Sequence, residues 1–251
     1  FVGVANTGTG KTAAFLIPLI DKVLHDKKEQ VMIIVPTREL AIQIEDELKQ
    51  FTRGMGIYSV CCVGGASITK QASQLRYQYN FIIGTPGRIK DFIDRKAIRL
   101  PEFKSIVLDE ADRMLDMGFV NDMRAIMNAM PVERQTLFFS ATVNSDIEKL
   151  IGEFLKNHVR ISVKTQDTAK NIEQEIVYVD RTKGKLETLH DLLNKEEMAK
   201  VLVFGRTKHG VEKLSKELVA RGFRAESIHG NKTHSGRQKA LQAFKNNGTK
   251  I

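Results

Sequence analysis

Apolar residues follow two rhythms along the 251-residue chain. Short, mostly apolar runs at 31–35, 81–84, 106–108 and 136–139 have the length of buried strands. Between the first two, Leu40, Ile44, Leu48 and Phe51 recur at helical spacing. Such alternation predicts an α/β fold, with a parallel sheet covered by helices on both faces. A second cycle follows, with strands predicted at 176–179, 201–204 and 225–228. Val211, Leu214, Leu218 and Val219 mark a helix between the last two. The stretch 164–171 (KTQDTAKN) is polar and lacks apolar periodicity. The pattern therefore predicts two α/β domains, 1–163 and 173–251, joined by a linker at 164–172. The second is expected to be incomplete, because Lys250 and Ile251 fall where another buried strand should begin.

With 42% hydrophobic and 27% charged residues, the composition fits a globular protein and excludes wholesale disorder. No apolar run approaches the ~20 residues needed to span a bilayer, so no membrane association is expected. The chain opens on Phe1 without a signal-peptide pattern, which suggests a fragment of a cytoplasmic protein. Cys61 and Cys62 are adjacent and would point to opposite faces of a strand, so free thiols in a reducing compartment are expected. The six histidines show no metal-ligand spacing, and no zinc site is expected. The net charge is +9 and unevenly spread. Residues 1–163 carry 21 Lys and Arg against 19 Asp and Glu, whereas residues 164–251 carry 18 against 11. A basic surface of this kind favours a polyanion such as nucleic acid.

Chemistry concentrates first at Ala5, Asn6, Thr7, Gly8, Thr9, Gly10, Lys11 and Thr12. This is a phosphate-binding P-loop with Ala5 in place of the usual first glycine. Its glycines permit a backbone that turns successive N–H groups toward a phosphate. Lys11 brings a cation to the β- and γ-phosphates, and the Thr12 hydroxyl is a ligand for Mg²⁺. The apolar run that follows predicts a helix whose N-terminal dipole favours the anion. Pro18 is expected to bend or break that helix. Downstream, an apolar strand leads into Asp109, Glu110, Ala111 and Asp112. In open α/β sheets ligands bind at the carboxyl ends of strands. That places Asp109 to hold Mg²⁺, partly through water, and Glu110 to act as general base toward the attacking water.

Asp109-Glu110-Ala111-Asp112 spells the motif of the DEAD-box ATP-dependent RNA helicases, and the chain resembles that family along its length. Ala5–Thr12 resembles motif I, Pro36-Thr37-Arg38-Glu39-Leu40 motif Ia, and Gly64-Gly65 the GG element. Thr85-Pro86-Gly87-Arg88 resembles motif Ib, and Ser140-Ala141-Thr142 motif III. Val203-Phe204-Gly205-Arg206-Thr207 is similar to motif IV and His229-Gly230 to the element after it. The resemblance implies two RecA-like domains that close together on ATP and single-stranded RNA. Hydrolysis and phosphate release would then reopen the cleft. It assigns Pro36, Thr37, Arg38, Gly64, Gly65, Thr85, Pro86, Gly87, Arg88, Arg206, Thr207, Gly230 and Arg237 to the RNA backbone. Hydroxyl and guanidinium donors suit phosphates, and glycines allow close approach. For Thr37 and Pro86 helix capping is an equal expectation. Asp112, Ser140 and Thr142 are assigned to coupling between the ATP and RNA sites. Little exposed aromatic clustering is evident, so no sequence-specific readout is expected.

The family's glutamine motif is expected to lie upstream of Phe1 and motifs V and VI beyond Ile251, outside this sequence, so ATP over GTP rests on the resemblance. Where the family has Gln-x-x-Arg, this chain has His234-Ser235-Gly236-Arg237. The expectation is a bacterial-type, monomeric, RNA-stimulated ATPase with ATP and Mg²⁺ as cofactors, the fragment itself weak or inactive. A non-enzymatic RNA clamp and a DNA-acting translocase of the same superfamily are the alternatives.

Overall fold

The computed structural model describes residues 1–6, 8–163, 172–179 and 182–251, with the side chain of His234 excepted. Thr7 and the expected linker at 164–171 lie outside them. The chain divides into two compact units, Phe1–Lys170 and Asn171–Ile251.

The first unit alternates strands and helices in chain order. These are β1 (Val2–Val4), α1 (Lys11–His25), β2 (Gln30–Ile34), α2 (Arg38–Phe51), β3 (Ser59–Cys62), α3 (Ile68–Gln74), β4 (Phe81–Gly84) and α4 (Pro86–Asp94). There follow β5 (Phe103–Leu108), α5 (Ala111–Asp116), α6 (Val120–Ala129), β6 (Gln135–Ser140), α7 (Ser145–Phe154) and β7 (Arg160–Ser162). The strands form one parallel sheet in the order β3-β4-β2-β5-β6-β1-β7.

That order explains which helix lies on which face. From β1 through β2 to β3 the chain moves one way across the sheet, and from β3 to β7 it moves back. Right-handed crossovers then require α1 and α2 on one face and α3 to α7 on the other. The core obeys this. Phe15, Leu19 and Val23 of α1 and Ala41, Ile44 and Leu48 of α2 pack with Val31, Ile33, Phe81, Ile83, Val107 and Phe139. Ile89 and Phe92 of α4, Met123 of α6 and Leu150 of α7 pack with Met32, Ile34, Ile82, Ile106 and Phe138. Alternate strand residues thus serve opposite layers, and the central strands are apolar throughout because both faces are buried. Cys61 and Cys62 divide between the layers in the same way, and both thiols are free. Burial pushes the Cys61 thiol up to about 12 and Cys62 higher still, so neither is a reactive thiolate.

Helix α1 runs unbroken through Pro18, against the expectation of a break. Pro18 is its eighth residue, at the start of the third turn, and the one bond lost there is outweighed by the apolar face of Phe15, Leu16, Leu19, Ile20 and Val23 that the helix buries.

Among its described residues the second unit has three helices, α8 (Gly184–Leu193), α9 (Lys208–Ala220) and α10 (His234–Lys245). Leu193, Leu218 and Ile251 centre a small core that Val201, Val203, Leu214, Phe223 and Ala225 extend. The segments predicted as strands at 176–179, 201–204 and 225–228 are not in a ladder among the described residues. A parallel strand needs a neighbour, and two of these segments instead flank the chain end. Val201 N–H donates to Lys250 O (2.9 Å), Lys250 N–H to Arg224 O (2.8 Å) and Glu226 N–H to Ile251 O (3.0 Å). Two residues cannot bridge both segments along their length, and Leu202 and Phe204 stay exposed. No described helix is long and apolar enough to cross a membrane.

Candidate functional site

Six strands of the first unit end at a residue singled out from sequence, all at the carboxyl edge. The strand order sorts them. β5, β6 and β1 lead into Asp109, Ser140 and Ala5, while β3, β4 and β2 lead into Gly64, Thr85 and Pro36. Expected nucleotide residues therefore share one half of the edge, and expected RNA residues share the other.

In the nucleotide half, Gly8 and Gly10 have positive φ (79° and 84°), which lets the loop turn without a Cβ clash. Gly10 is the N-cap of α1. Lys11 Nζ donates to Ala5 O (2.9 Å), folding its ammonium back along the loop. Thr9 Oγ1 donates to Asn6 O (2.8 Å). Ala5 is buried, so a methyl in place of the first glycine is accommodated by the core. Thr7 lies outside the described residues.

Asp109 is 3% exposed and accepts a bond from the Glu110 N–H (2.9 Å). Burial pushes its carboxyl up to about 6, against the pull of the Lys11 ammonium and that N–H bond. Glu110 sits in the left-handed region (φ 51°) at the start of α5. This conformation costs a non-glycine residue roughly 1 kcal/mol, and such outliers gather at functional sites. Arg113 Nη1 donates to Glu110 Oε2 (2.6 Å), leaving the other carboxylate oxygen outside that bond.

A hydrogen-bonded chain joins the three strand ends. Ala5 N–H donates to Ser140 O (3.2 Å), Ser140 Oγ to Thr142 O (2.6 Å), and both Thr142 N–H and Oγ1 to Asp112 Oδ2 (2.9 Å each). The residue that opens the loop, the hydroxyl turn and the acidic helix start are thus tied by direct hydrogen bonds. Among the described residues no three His, Cys, Asp or Glu side chains form a ready metal cage. A nucleotide-bound Mg²⁺ does not need one, since one or two carboxylates with phosphates and water suffice. An oxygen donor set with a buried carboxyl displaced upward suits such a cation.

In the other half, the pieces are tied by a residue that sequence reasoning missed. Gln71 of α3 is 5% exposed. Its Oε1 accepts from Val63 N–H (3.2 Å) and from Arg88 Nη1 (3.1 Å), and its Nε2 donates to Val63 O (3.0 Å). One amide therefore fixes the strand end before Gly64 and aims Arg88. The available signal was that Gln71 occupies a core-facing position of a helix, where a polar residue needs partners. Arg38 lies over Gly65 (φ 70°), where any Cβ would collide with its guanidinium. Gly64 and Gly87 have no comparable constraint. Thr37 caps α2 by accepting from Leu40 N–H (3.3 Å), whereas Thr85 makes no side-chain cap bond to α4. Pro36 and Pro86 are buried and shape the turns from within.

In the second unit, Thr207 caps α9 by accepting from Gly210 N–H (3.0 Å), and Arg206 is exposed. Arg237 Nη1 donates to Lys232 O (2.9 Å), bracing the turn that carries Gly230.

Comparison with known proteins shows the family of the chain. The DEAD/DEAH box helicase family model matches residues 1–150, and the helicase conserved C-terminal domain matches 184–251. The chain is 42% identical to the DEAD-box ATP-dependent RNA helicase CshA of Streptococcus pneumoniae serotype 4 over 98% of its own length and 47% of that protein. It is 42% identical to CshA of Bacillus cereus over 100% of its length and 48% of that protein. The chain thus spans about half the length of these curated relatives. A solved DEAD box protein from the hyperthermophile Methanococcus jannaschii superposes with a TM-score of 0.63 at 38% identity, covering 100% of this chain and 67% of the other. The chain belongs to the DEAD/DEAH box helicase family.

Proposed function

We propose that this chain is core machinery of an ATP-dependent RNA helicase. It binds ATP at the β5-β6-β1 half of the edge and the backbone of single-stranded RNA along the β3-β4-β2 half. The observation that carries the reading is the bonded chain from Ala5 through Ser140 and Thr142 to Asp112, which makes the phosphate loop and the acidic strand end one rigid site. Lys11, released from Ala5 O, neutralises the β- and γ-phosphates while loop N–H groups cradle them. Thr12 and Asp109 are the residues that would hold Mg²⁺, which would supply further neutralisation of phosphate charge. Glu110 takes the proton of the attacking water through the oxygen that Arg113 leaves open. Arg38, Thr85 and Arg88, together with Arg206, Gly230 and Arg237 of the second unit, contact RNA phosphates without reading bases. ATP and RNA then favour one closed state of the two units, so each tightens the binding of the other.

The test is ATP hydrolysis with and without single-stranded RNA, with Glu110→Gln as control, together with binding of a non-hydrolysable ATP analogue. RNA-stimulated turnover that Glu110→Gln abolishes supports the reading. RNA binding without turnover, in a chain extended to the length of its relatives that still binds the analogue, replaces it with the clamp. Equal stimulation by DNA replaces it with a DNA translocase.

A further inference from the structure

The second unit holds a polar cluster that the proposed site does not use. Glu212 lies on the second turn of α9, one turn after Thr207. Its Oε2 accepts from Ser227 Oγ (2.6 Å) and from His229 Nε2 (3.1 Å). Those two bonds, Ser227 first, together with the Lys216 ammonium (3.4 Å from Oε1), hold its carboxyl down at about 2, so it only accepts and His229 Nε2 carries the proton. The other ring nitrogen, His229 Nδ1, is buried and has no partner among the described side-chain and backbone groups. The bond to Glu212 is therefore the polar contact that sets the orientation of the imidazole.

His229 in turn begins the turn that presents Gly230. Lys232 N–H donates to His229 O (3.1 Å), closing it, and Lys208 Nζ donates to Asn231 Oδ1 (3.0 Å), bracing its tip against the first turn of α9. Arg206 and Thr207 lie at the start of the same helix, and Arg237 braces the turn from α10. A single carboxylate thus sits between two segments that must keep a fixed spacing to meet successive phosphates.

We propose that Glu212 is a positioning residue for RNA, clamping the His229–Gly230 turn at the spacing from Arg206 and Thr207 that a backbone strand requires. Glu212 itself does not touch RNA. As a half-buried acid beside a basic surface it would on charge alone weaken RNA binding, so its removal distinguishes clamp from repulsion by sign. This inference rests on the proposed reading of the second unit as an RNA-contact surface.

The experiment is fluorescence anisotropy of the 251-residue chain with a short labelled single-stranded RNA across a salt series. Glu212→Ala is expected to weaken binding about 5-fold and to flatten the slope of log affinity against log salt by about one phosphate contact. Glu212→Gln, which keeps an acceptor, is expected to stay within about 2-fold of the parent. His229→Ala should match Glu212→Ala, and the double variant should be no worse than either, as expected for residues acting as one unit. A thermal melt accompanies each variant; if Glu212→Ala unfolds, the His229→Ala and Glu212→Gln comparison carries the test. Unchanged or tighter binding by Glu212→Ala, with Arg206→Ala still weakening it, overturns the clamp. If Arg206→Ala is also without effect, the RNA surface of this unit is misassigned and the clamp falls with it.

Discussion

The two halves of the sheet's carboxyl edge solve the same problem with opposite chemistry. Around β5, β6 and β1 the organising groups are buried acids: Asp109 at 3% exposure and Glu110 at 9%. Around β3, β4 and β2 the organising group is a neutral amide, Gln71, buried to a similar degree. A buried carboxylate is costly until a cation arrives, so the first half is built to be completed by its ligand. A buried amide with its partners in place is already satisfied, so the second half is preformed and aims a cation outward. The acid half should therefore trade stability for function, and the amide half should not.

The largest effect expected is at Lys11. Lys11→Ala should lower nucleotide affinity by on the order of 100-fold, the loss usual when one member of a desolvated charge contact is removed. Affinity for RNA in the absence of nucleotide should change less than about 3-fold. Paired titrations check this, and a comparable loss on both sides would break the division of the edge.

Asp109→Asn comes next and runs against intuition, because it should stabilise the unliganded first unit while removing Mg²⁺-dependent nucleotide binding. The folded-state value of about 6 lies above the ordinary 3.8. The native state therefore holds more proton between those values, and its stability falls as pH rises through that window. Asn removes the penalty, so its gain is full above about pH 6 and disappears toward pH 4. At ~1.36 kcal/mol per pH unit the gain is at most about 3 kcal/mol. Urea melts of both proteins at pH 7 and pH 4 measure it, and an equal difference at both pH values would refute the burial account.

Gln71→Leu sharpens the comparison from the other side. It strands the backbone groups of Val63 and frees Arg88, at a cost of about 1–3 kcal/mol in stability. RNA affinity should fall several-fold and nucleotide affinity should hold, as parallel melts and titrations can show. Here stability and function fall together, unlike at Asp109.

Thr142→Val is the mildest. The hydroxyl bond to Asp112 is lost but the Thr142 N–H bond to the same oxygen remains. A loss of about 1 kcal/mol is expected, visible as a small drop in the mutual tightening of ATP and RNA.

Much of this edge was readable in advance. The runs that became β2, β4, β5 and β6 are apolar because both faces of a central parallel strand are buried, and the residues following them are those expected to carry the chemistry. β1, β3 and β7 escaped for physical reasons. β1 has three residues, β3 mixes Ser59 with cysteines, and every residue of β7 is exposed at the sheet's edge. The second unit misled in the opposite direction. Apolar runs at 201–204 and 225–228 have strand composition, but a ladder is a property of neighbours, and each flanks a two-residue chain end. Gln71 carried only the weak signal of its core-facing helix position, and Glu212 was invisible because a polar residue on a helix reads as solvated until the tertiary structure shows what it faces.

The register Val4↔Ser140, which places the phosphate loop beside the hydroxyl turn, also sets a timetable. β2, β3 and β4 lie within residues 30–84 and pair with one another, so they can associate once that stretch has emerged from the ribosome. β1 is made first, yet its partners β6 and β7 are made last. β1 must therefore wait for β6 and β7 while more than half the chain is synthesised. Such non-local pairing is slow to form and leaves strand edges open meanwhile. The loop expected to hold phosphate is thus translated ahead of the strands that frame it and is among the last parts of the first unit to acquire its shape.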